Sequence, residues 1–491
     1  MVGFLKKNKI QLLIVFVVGI FAYSIKLGMY SVSIDTEILI YHPEAMLKSW
    51  IAIGRWGLVA VKNLFHFLPI NIILTNICAF LIFFISIMVW FANLDKISKK
   101  ENKFAKTIFG LIVITAPIFA EQFYFSLQSV EVAIAFLGLA IAVFFQEKWI
   151  TNNKVWAIFP AVLFVTYAFG CYQAFIPLYI SVCVFDYIVK YDGKINMKQI
   201  LKYLLIFGIS FILNVVIDRM AKNIYGVHDS GYLKNQILWG TERKYITITR
   251  ILHSISNSFM GIGYHETLAY GIAFVLMTIV VAEKRDFYKN KFFYLAYMVF
   301  FVVAPFATTI LKGTIEAARA RFVIPFVTGF ALYYVLSNTE NKKILKLAKI
   351  TAIYAIIVQT VITFSLFYID NQRYHEDVKI ANKIEEDLKN YDSSKLIVFM
   401  GAYQTPETII KGETIGASFF AHDAGSNLGC THRALGFMKT LGMNHELATV
   451  EQIQEAREEL SAKVENKEIN LTVYPNEGYI IELDNYIIVN F

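Results

Sequence analysis

Hydrophobic residues in this chain fall in long blocks rather than in strict alternation. Apolar windows run near 10–29, 69–93, 104–120, 129–146, 155–169, 172–189, 200–217, 268–282, 292–311, 322–337 and 347–368. A helix rises about 1.5 Å per residue, so roughly 20 apolar residues cover the ~30 Å hydrocarbon core of a bilayer. The pattern therefore predicts about eleven transmembrane helices, ending near Tyr368. Beyond that point the pattern is mixed. It predicts an amphipathic helix near 374–390, a strand over 395–400, helices near 432–442 and 449–463, and strands near 469–474, 478–483 and 486–491. The expected fold is a polytopic α-helical membrane domain over residues 1–369, followed by a small α/β domain over 370–491.

Composition narrows the class further. Apolar residues make up 57% of the 491 positions and charged residues only 17%, which excludes disorder and an ordinary soluble enzyme. The four cysteines form no CxxC and share no spacing with a histidine pair, so neither a disulfide framework nor a zinc site is indicated. Nothing points to nucleic acid as a partner.

The formal charge of +8 conceals a split. Residues 1–369 carry 35 Lys and Arg against 18 Asp and Glu, a balance of +17, while residues 370–491 carry 11 against 20, a balance of −9. Placing the amino terminus in the cytoplasm puts five lysine-bearing loops on that side: Lys96, Lys99, Lys100 and Lys103; Lys148 and Lys154; Lys190, Lys194 and Lys198; Lys284, Arg285 and Lys289; Lys342, Lys343 and Lys346. The first apolar block reads as a retained span rather than a cleaved signal, because no small-residue cleavage site follows it. With an odd number of spans the tail falls outside, as expected for a protein of a bacterial cytoplasmic membrane.

Arginine follows a different rule from lysine. Six of the seven arginines before residue 370, Arg55, Arg219, Arg243, Arg250, Arg319 and Arg321, lie in or beside outward loops. A guanidinium offers a planar donor fork suited to phosphate or carboxylate. The same arginines could instead pair with Asp218, Glu242 and Glu316, or reach lipid headgroups.

The first outer loop, 30–68, holds Asp35 and Glu37 at the exit of a span. In an extended chain the two carboxylates would share a face; alternatively Ser33 or Asp35 caps the next helix and Glu37 sits in its first turn. Trp50 and Trp56 are candidate aromatic anchors for a helix lying along the interface over 59–67. A partly buried carboxylate near an arginine suits general-base activation of a hydroxyl while the arginine holds a phosphate leaving group. The second long outer loop, 218–267, is expected to cap the site. Its His265-Glu266 pair would face apart on a helix. Glu121 and Gln122 read as ordinary loop polarity, and Tyr172 and Gln173 could bond between helices. The glycine-bearing loop 424–430 lacks the residues of a phosphate-binding fingerprint, so the tail is expected to recognise the acceptor or act as a lid rather than to hold a second catalytic site.

At these residues a resemblance enters. Asp35-Thr36-Glu37, then Trp50 and Gly54-Arg55-Trp56, and later Gly170-Cys171-Tyr172-Gln173-Ala174, resemble the motifs of GtrII-type membrane glucosyltransferases. The tail run Tyr474-Pro475, Gly478-Tyr479-Ile480 and Tyr486-Ile487-Ile488-Val489 is similar to the ending of that family. The resemblance implies a GT-C type enzyme that moves a sugar, such as glucose, from a polyprenyl-phosphate carrier to a cell-surface glycan by inverting displacement. It implies Asp35 as base with Glu37 as its partner. Arg319, Arg321 and Arg55 are then candidates for the donor phosphate, with only one of Arg319 and Arg321 expected to meet it because residues two apart do not share a helical face. Trp50, Trp56, Glu121, Gln122, Tyr172 and Gln173 are candidates for substrate contact. A monophosphate donor implies no metal, although an Asp-x-Glu pair could bind a divalent cation through oxygen. A flippase for a lipid-linked sugar would more often show inverted repeats and broken helices; a polymerase or ligase would differ in using a pyrophosphate-linked donor.

Overall fold

The computed structural model describes residues 2–65, 71–98, 101–283, 291–403, 405–406 and 414–491. Residues 66–68 of the first outer loop, and Lys99, Lys100, Lys284, Arg285 and Lys289 of the expected inner loops, lie outside these. The chain is 72% helical with one small sheet. Among the described residues six helices are long and apolar enough to cross a membrane: Gly3–Gly28, Ile72–Ser98, Ser126–Asn152, Met197–Tyr225, Lys291–Lys312 and Lys342–Leu388. A seventh span results if Lys103–Ile114 and Ile118–Tyr124, bent by 51° at Thr115-Ala116-Pro117, count as one. The other apolar windows form shorter helices, including Ile158–Cys171, Phe175–Lys190, Ala269–Ala282 and Val323–Asn338. At 14 residues, Ala269–Ala282 rises only about 21 Å.

The chain divides into two compact units. The first comprises Met1–Leu27, Lys48–Phe123 and Gln128–Ser365; the second comprises Gly28–Leu47, Tyr124–Leu127 and Leu366–Phe491. Within the first, helix Val323–Asn338 is buried from Val323 through Leu336, as its all-round apolar sequence requires. Its Phe326 and Phe330 meet Phe109, Phe136 and Trp90 with ring centroids 5.0–6.1 Å apart, and Gly329 lets Phe109 approach to where a Cβ would stand 2.8 Å from the ring. A buried pair, Lys62 Nζ to Glu131 Oε1 at 2.8 Å, joins helix Trp56–Phe65 to helix Ser126–Asn152.

The second unit holds a three-stranded sheet, β1 (Leu396–Met400), β2 (Ile480–Glu482) and β3 (Tyr486–Asn490), in the order β1-β3-β2. β3 is central, parallel to β1 with Val398 opposite Ile488, and antiparallel to β2. All five of its residues are buried, which explains its unbroken apolar run. Helix Val450–Glu465 packs Ile453, Ala456 and Leu460 against Val398, Ile481 and Ile488, and a Thr449–Gln452 capping box fixes where it starts. The strand expected over 469–474 does not form. Both edges of β3 are taken, and the segment reaches only its end, where Tyr474 N–H donates to Asn490 O.

A second expectation also changes. The helix anticipated near 374–390 is not separate but continues the last apolar window as one 47-residue helix, Lys342–Leu388. No glycine or proline interrupts the join. There Arg373 bonds Asp370 at 2.9 Å and Asp377 at 2.7 Å, i,i+3 and i,i+4 pairs that carry the helix through its polar turn.

Candidate active site

The acidic motif folds as a short helix, Thr36–Tyr41, entered through Asp35. Asp35 has φ of 72°, a left-handed conformation that costs a non-glycine residue about 1–2 kcal/mol and that Asp tolerates better than most. Its side chain makes no capping bond; Ser33 Oγ instead meets Thr36 Oγ1 at 2.7 Å. The extended arrangement of the pair is therefore not adopted. Asp35 is left 41% exposed, while Glu37, in the first helical turn, is fully buried.

The partner that holds both carboxylates comes from helix Thr431–Thr440, which packs on Thr36–Tyr41. Arg433 Nη1 donates to Glu37 Oε1 at 2.7 Å and to Asp35 Oδ1 at 3.1 Å, and Arg433 Nε donates to Asp423 Oδ2 at 2.8 Å. Close approach of the two helices rests on one glycine. A Cβ at Gly436 would stand 2.5 Å from the Tyr41 ring, and Gly436 lies on the same face as Arg433, as Tyr41 does with Glu37, by the i,i+3 and i,i+4 rule. Three carboxylates thus face one guanidinium, a formal excess of two negative charges. Among the described residues Glu37 Oε2 is buried with no hydrogen-bond partner. Burial pushes the Glu37 carboxyl up to about 7, against the lowering influence of Arg433. Burial also lowers the neighbouring His422 imidazole, with Asp423 opposing. The sequence singled out neither Arg433 nor Asp423.

In the other unit, Gly54-Arg55-Trp56-Gly57 packs directly on Gly170-Cys171-Tyr172-Gln173. Gly170 lies against the Trp56 indole, where a Cβ would stand 2.1 Å from the ring, and a Cβ at Gly57 would stand 2.7 Å from Cys171 Sγ. Gln173 Nε2 donates to the Ile53 and Gly54 carbonyls at 3.3 and 3.4 Å, and Trp56 Nε1 donates to Asn214 Oδ1 at 2.9 Å. This packing puts the Arg55 guanidinium 4.8 Å above the Tyr172 ring. Arg55 and Tyr172 then line a cavity of about 360 Å³ together with Gln173, Lys312, Glu316 and Arg319. Lys312 bonds Glu316 at 3.0 Å and Gln236 at 2.9 Å. Three cationic side chains against one carboxylate leave a formal excess of two positive charges.

Not every candidate reaches this cavity. Arg321 instead bonds Glu266 at 2.8 Å and Ser258 at 2.5 Å. Trp50 is buried beside Lys62, whose ammonium lies 5.7 Å from its ring. Gln122 is buried on a smaller cleft shared with Arg55, Tyr172 and Arg319, and Glu121 is half-buried. Glu266 is paired with Arg321. Among the described residues no group of three or more His, Cys, Asp or Glu is arranged to hold a metal ion.

The glucosyl transferase GtrII family description matches residues 27–336, more than half of the chain. The chain belongs to that family. No curated protein and no solved structure matches it. GtrII membership makes the protein a glycosyltransferase of the glucosyltransferase class, with a sugar donor and a glycan acceptor, and its apolar helices make it an integral membrane protein. The matched range contains Asp35, Glu37, Arg55, Tyr172, Gln173, Arg319 and Arg321. Arg433 and Asp423, which contact the acidic pair, lie beyond it. Within the GtrII framework their signal was weak, because nothing in the local pattern of the tail marks one arginine as facing a motif some 400 residues earlier.

Proposed function

We propose that the protein transfers a hexose such as glucose from a polyprenyl-phosphate carrier to a cell-surface glycan at the outer face of a bacterial cytoplasmic membrane. Asp35 is the general base, and the observation that carries this role is its half-exposed carboxylate on a left-handed backbone beside buried Glu37. Non-glycine residues in such conformations cluster at functional sites. Asp35 takes the proton of an acceptor hydroxyl, whose oxygen attacks the anomeric carbon. The bond from that carbon to the phosphate oxygen breaks on the opposite face, its electron pair leaves with the lipid phosphate, and the configuration inverts. Arg319 and Arg55, on the cavity with its positive excess, are assigned to the donor phosphate, where a fixed guanidinium stabilises developing charge. Tyr172 and Gln173 on the same cavity are assigned to the sugar.

The protein is further proposed to be GT-C-like, with about eleven spans in which the shorter helices also cross. The amino terminus is assigned to the inside and residues 370–491 to the outside. We assign the reaction no resident metal, since Arg433 already supplies a cation to one oxygen of each carboxylate, Asp35 Oδ1 and Glu37 Oε1.

The test uses the full chain in lipid nanodiscs with radiolabelled polyprenyl-phosphate glucose and native cell-surface glycan. Asp35→Asn should lose about 10²- to 10⁴-fold in kcat, the usual contribution of a general base, and chelation of divalent ions should leave the wild type unchanged. Undiminished transfer by Asp35→Asn would sink the assignment of the base.

A further inference from the structure

Arg433 is joined to both carboxylates of the acidic motif through the same nitrogen, Nη1, while its Nε is fixed by Asp423. Its side chain is 15% exposed, and two acceptor atoms at Nη1 with one at Nε define its orientation. Asp35 leads into a six-residue helix with no side-chain cap of its own. The acidic pair therefore takes part of its positional order from a residue in the tail. Glu37, sealed from water, needs this cation more than Asp35 does, because a buried carboxylate without a partner is costly.

The packing around Arg433 is built to present it. Gly436, one turn on, meets Tyr41 at a distance that no larger residue allows, and Tyr41 is one turn beyond Glu37. On the far side Thr431 Oγ1 accepts from the Phe399 N–H at 3.0 Å, tying the start of the Arg433 helix to β1. The sheet therefore fixes the helix, the helix fixes Arg433, and Arg433 fixes the pair.

We propose that Arg433 is a positioning residue for glucosyl transfer: it holds Asp35 in line through a shared bond with Glu37, so the tail completes the catalytic centre rather than only recognising an acceptor or covering the site. The proposal rests on the assignment of Asp35 as the base. It extends the working centre beyond residues 27–336, which the family description covers.

The experiment compares Asp35→Asn, Arg433→Gln and Arg433→Lys as full-length proteins in nanodiscs, with radiolabelled polyprenyl-phosphate glucose and native glycan. Misplacement of a reacting group by about 1 Å costs on the order of 10²-fold. Arg433→Gln should therefore lose about 30- to 100-fold in kcat with KM for the donor within about threefold. Its pH–rate profile should also move, the acidic limb shifting to higher pH as Glu37 loses its cation. Arg433→Lys, which keeps the charge but not the fork, should lose about tenfold and keep the acidic limb close to its wild-type position.

Arg433→Gln with wild-type kcat and an unmoved pH profile overturns the proposal while leaving the base assignment standing, provided Asp35→Asn is inactive. Wild-type transfer by Asp35→Asn overturns the base assignment itself. Should Arg433→Gln fail to elute as a folded protein, Arg433→Lys decides alone: about tenfold lower kcat at unchanged KM supports the proposal, and wild-type kcat overturns it.

Discussion

The two charged clusters carry opposite excesses. In the tail-containing unit, Asp35, Glu37 and Asp423 outnumber Arg433 by two; in the helical unit, Arg55, Lys312 and Arg319 outnumber Glu316 by two. The first is a set of carboxylates gathered on one guanidinium. The second is a set of cations around a cavity of about 360 Å³. Equal and opposite excess teaches that charge alone does not mark a ligand site. A cavity does, and so does a carboxylate half open to solvent. Where a guanidinium is fully committed to protein carboxylates it orders them; where it lines a cavity it can meet an anion.

The strongest way to break this contrast is to truncate in turn the two neighbouring arginines of the helical unit. Arg321 is committed to Glu266 and Ser258, and both charged side chains are nearly buried, 12% and 6% exposed. Removing one partner of such a pair leaves the other uncompensated at a cost of about 3–5 kcal/mol. Arg321→Ala should lower the thermal unfolding midpoint in nanodiscs sharply. Arg319→Ala should raise KM for polyprenyl-phosphate glucose about tenfold or more, the worth of a charge-assisted hydrogen bond. Unchanged KM in Arg319→Ala would erase the distinction between a structural and a ligand-facing arginine.

Part of this contrast was legible in the sequence. Arg319 and Arg321 are two residues apart, so a common role for both was already disfavoured. The apolar blocks mark where helices run, because periodicity and length are local properties. The packing of Trp56 on Gly170 joins two motifs that the family resemblance had singled out separately, although neither Trp50 nor Trp56 lines the cavity of Arg55 and Arg319. The strand missed at 469–474 and the unbroken helix Lys342–Leu388 show the limit. Whether a strand pairs depends on which edges are already taken, and whether a helix continues depends on whether its polar turn is paired. Arg433 was invisible for the same reason. An arginine among 11 basic residues of an acidic tail carries no local sign that it reaches Glu37.

A second prediction places the pH response in the acidic cluster. Glu37 ordinarily titrates near 4.5 and is pushed up to about 7 by burial. Below pH 4.5 it is protonated in both the folded and the unfolded chain, so its contribution to stability is fully present there. Between about 4.5 and 7 the unfolded chain gives up the proton while the folded chain keeps it, so stability falls as pH rises, by at most about 3 kcal/mol. Thermal midpoints measured from pH 4.5 to 7.5 should show this decline in the wild type and a shallower slope in Glu37→Gln. Catalysis should move the other way, rising through about pH 7 as ionised Glu37 engages Arg433. An identical stability slope in Glu37→Gln would locate the titrating group elsewhere.

The smallest effect expected concerns the outer carboxylate of the cluster. Asp423 is 44% exposed, and its bond to Arg433 Nε at 2.8 Å is open to solvent and salt. An exposed ion pair of this kind is worth about 0.2–1 kcal/mol. Asp423→Asn keeps the shape and an amide oxygen that can still accept from Nε, so kcat should fall by no more than about threefold and the midpoint should barely move. Salt sharpens the difference, because screening acts on exposed pairs and far less on buried ones. Raising ionic strength from 0.05 to about 0.5 M should shrink the already small gap between Asp423→Asn and the wild type, while leaving the gap for Glu37→Gln nearly as it was. A large, salt-insensitive loss in Asp423→Asn would mean that Asp423, rather than Glu37, sets the orientation of Arg433.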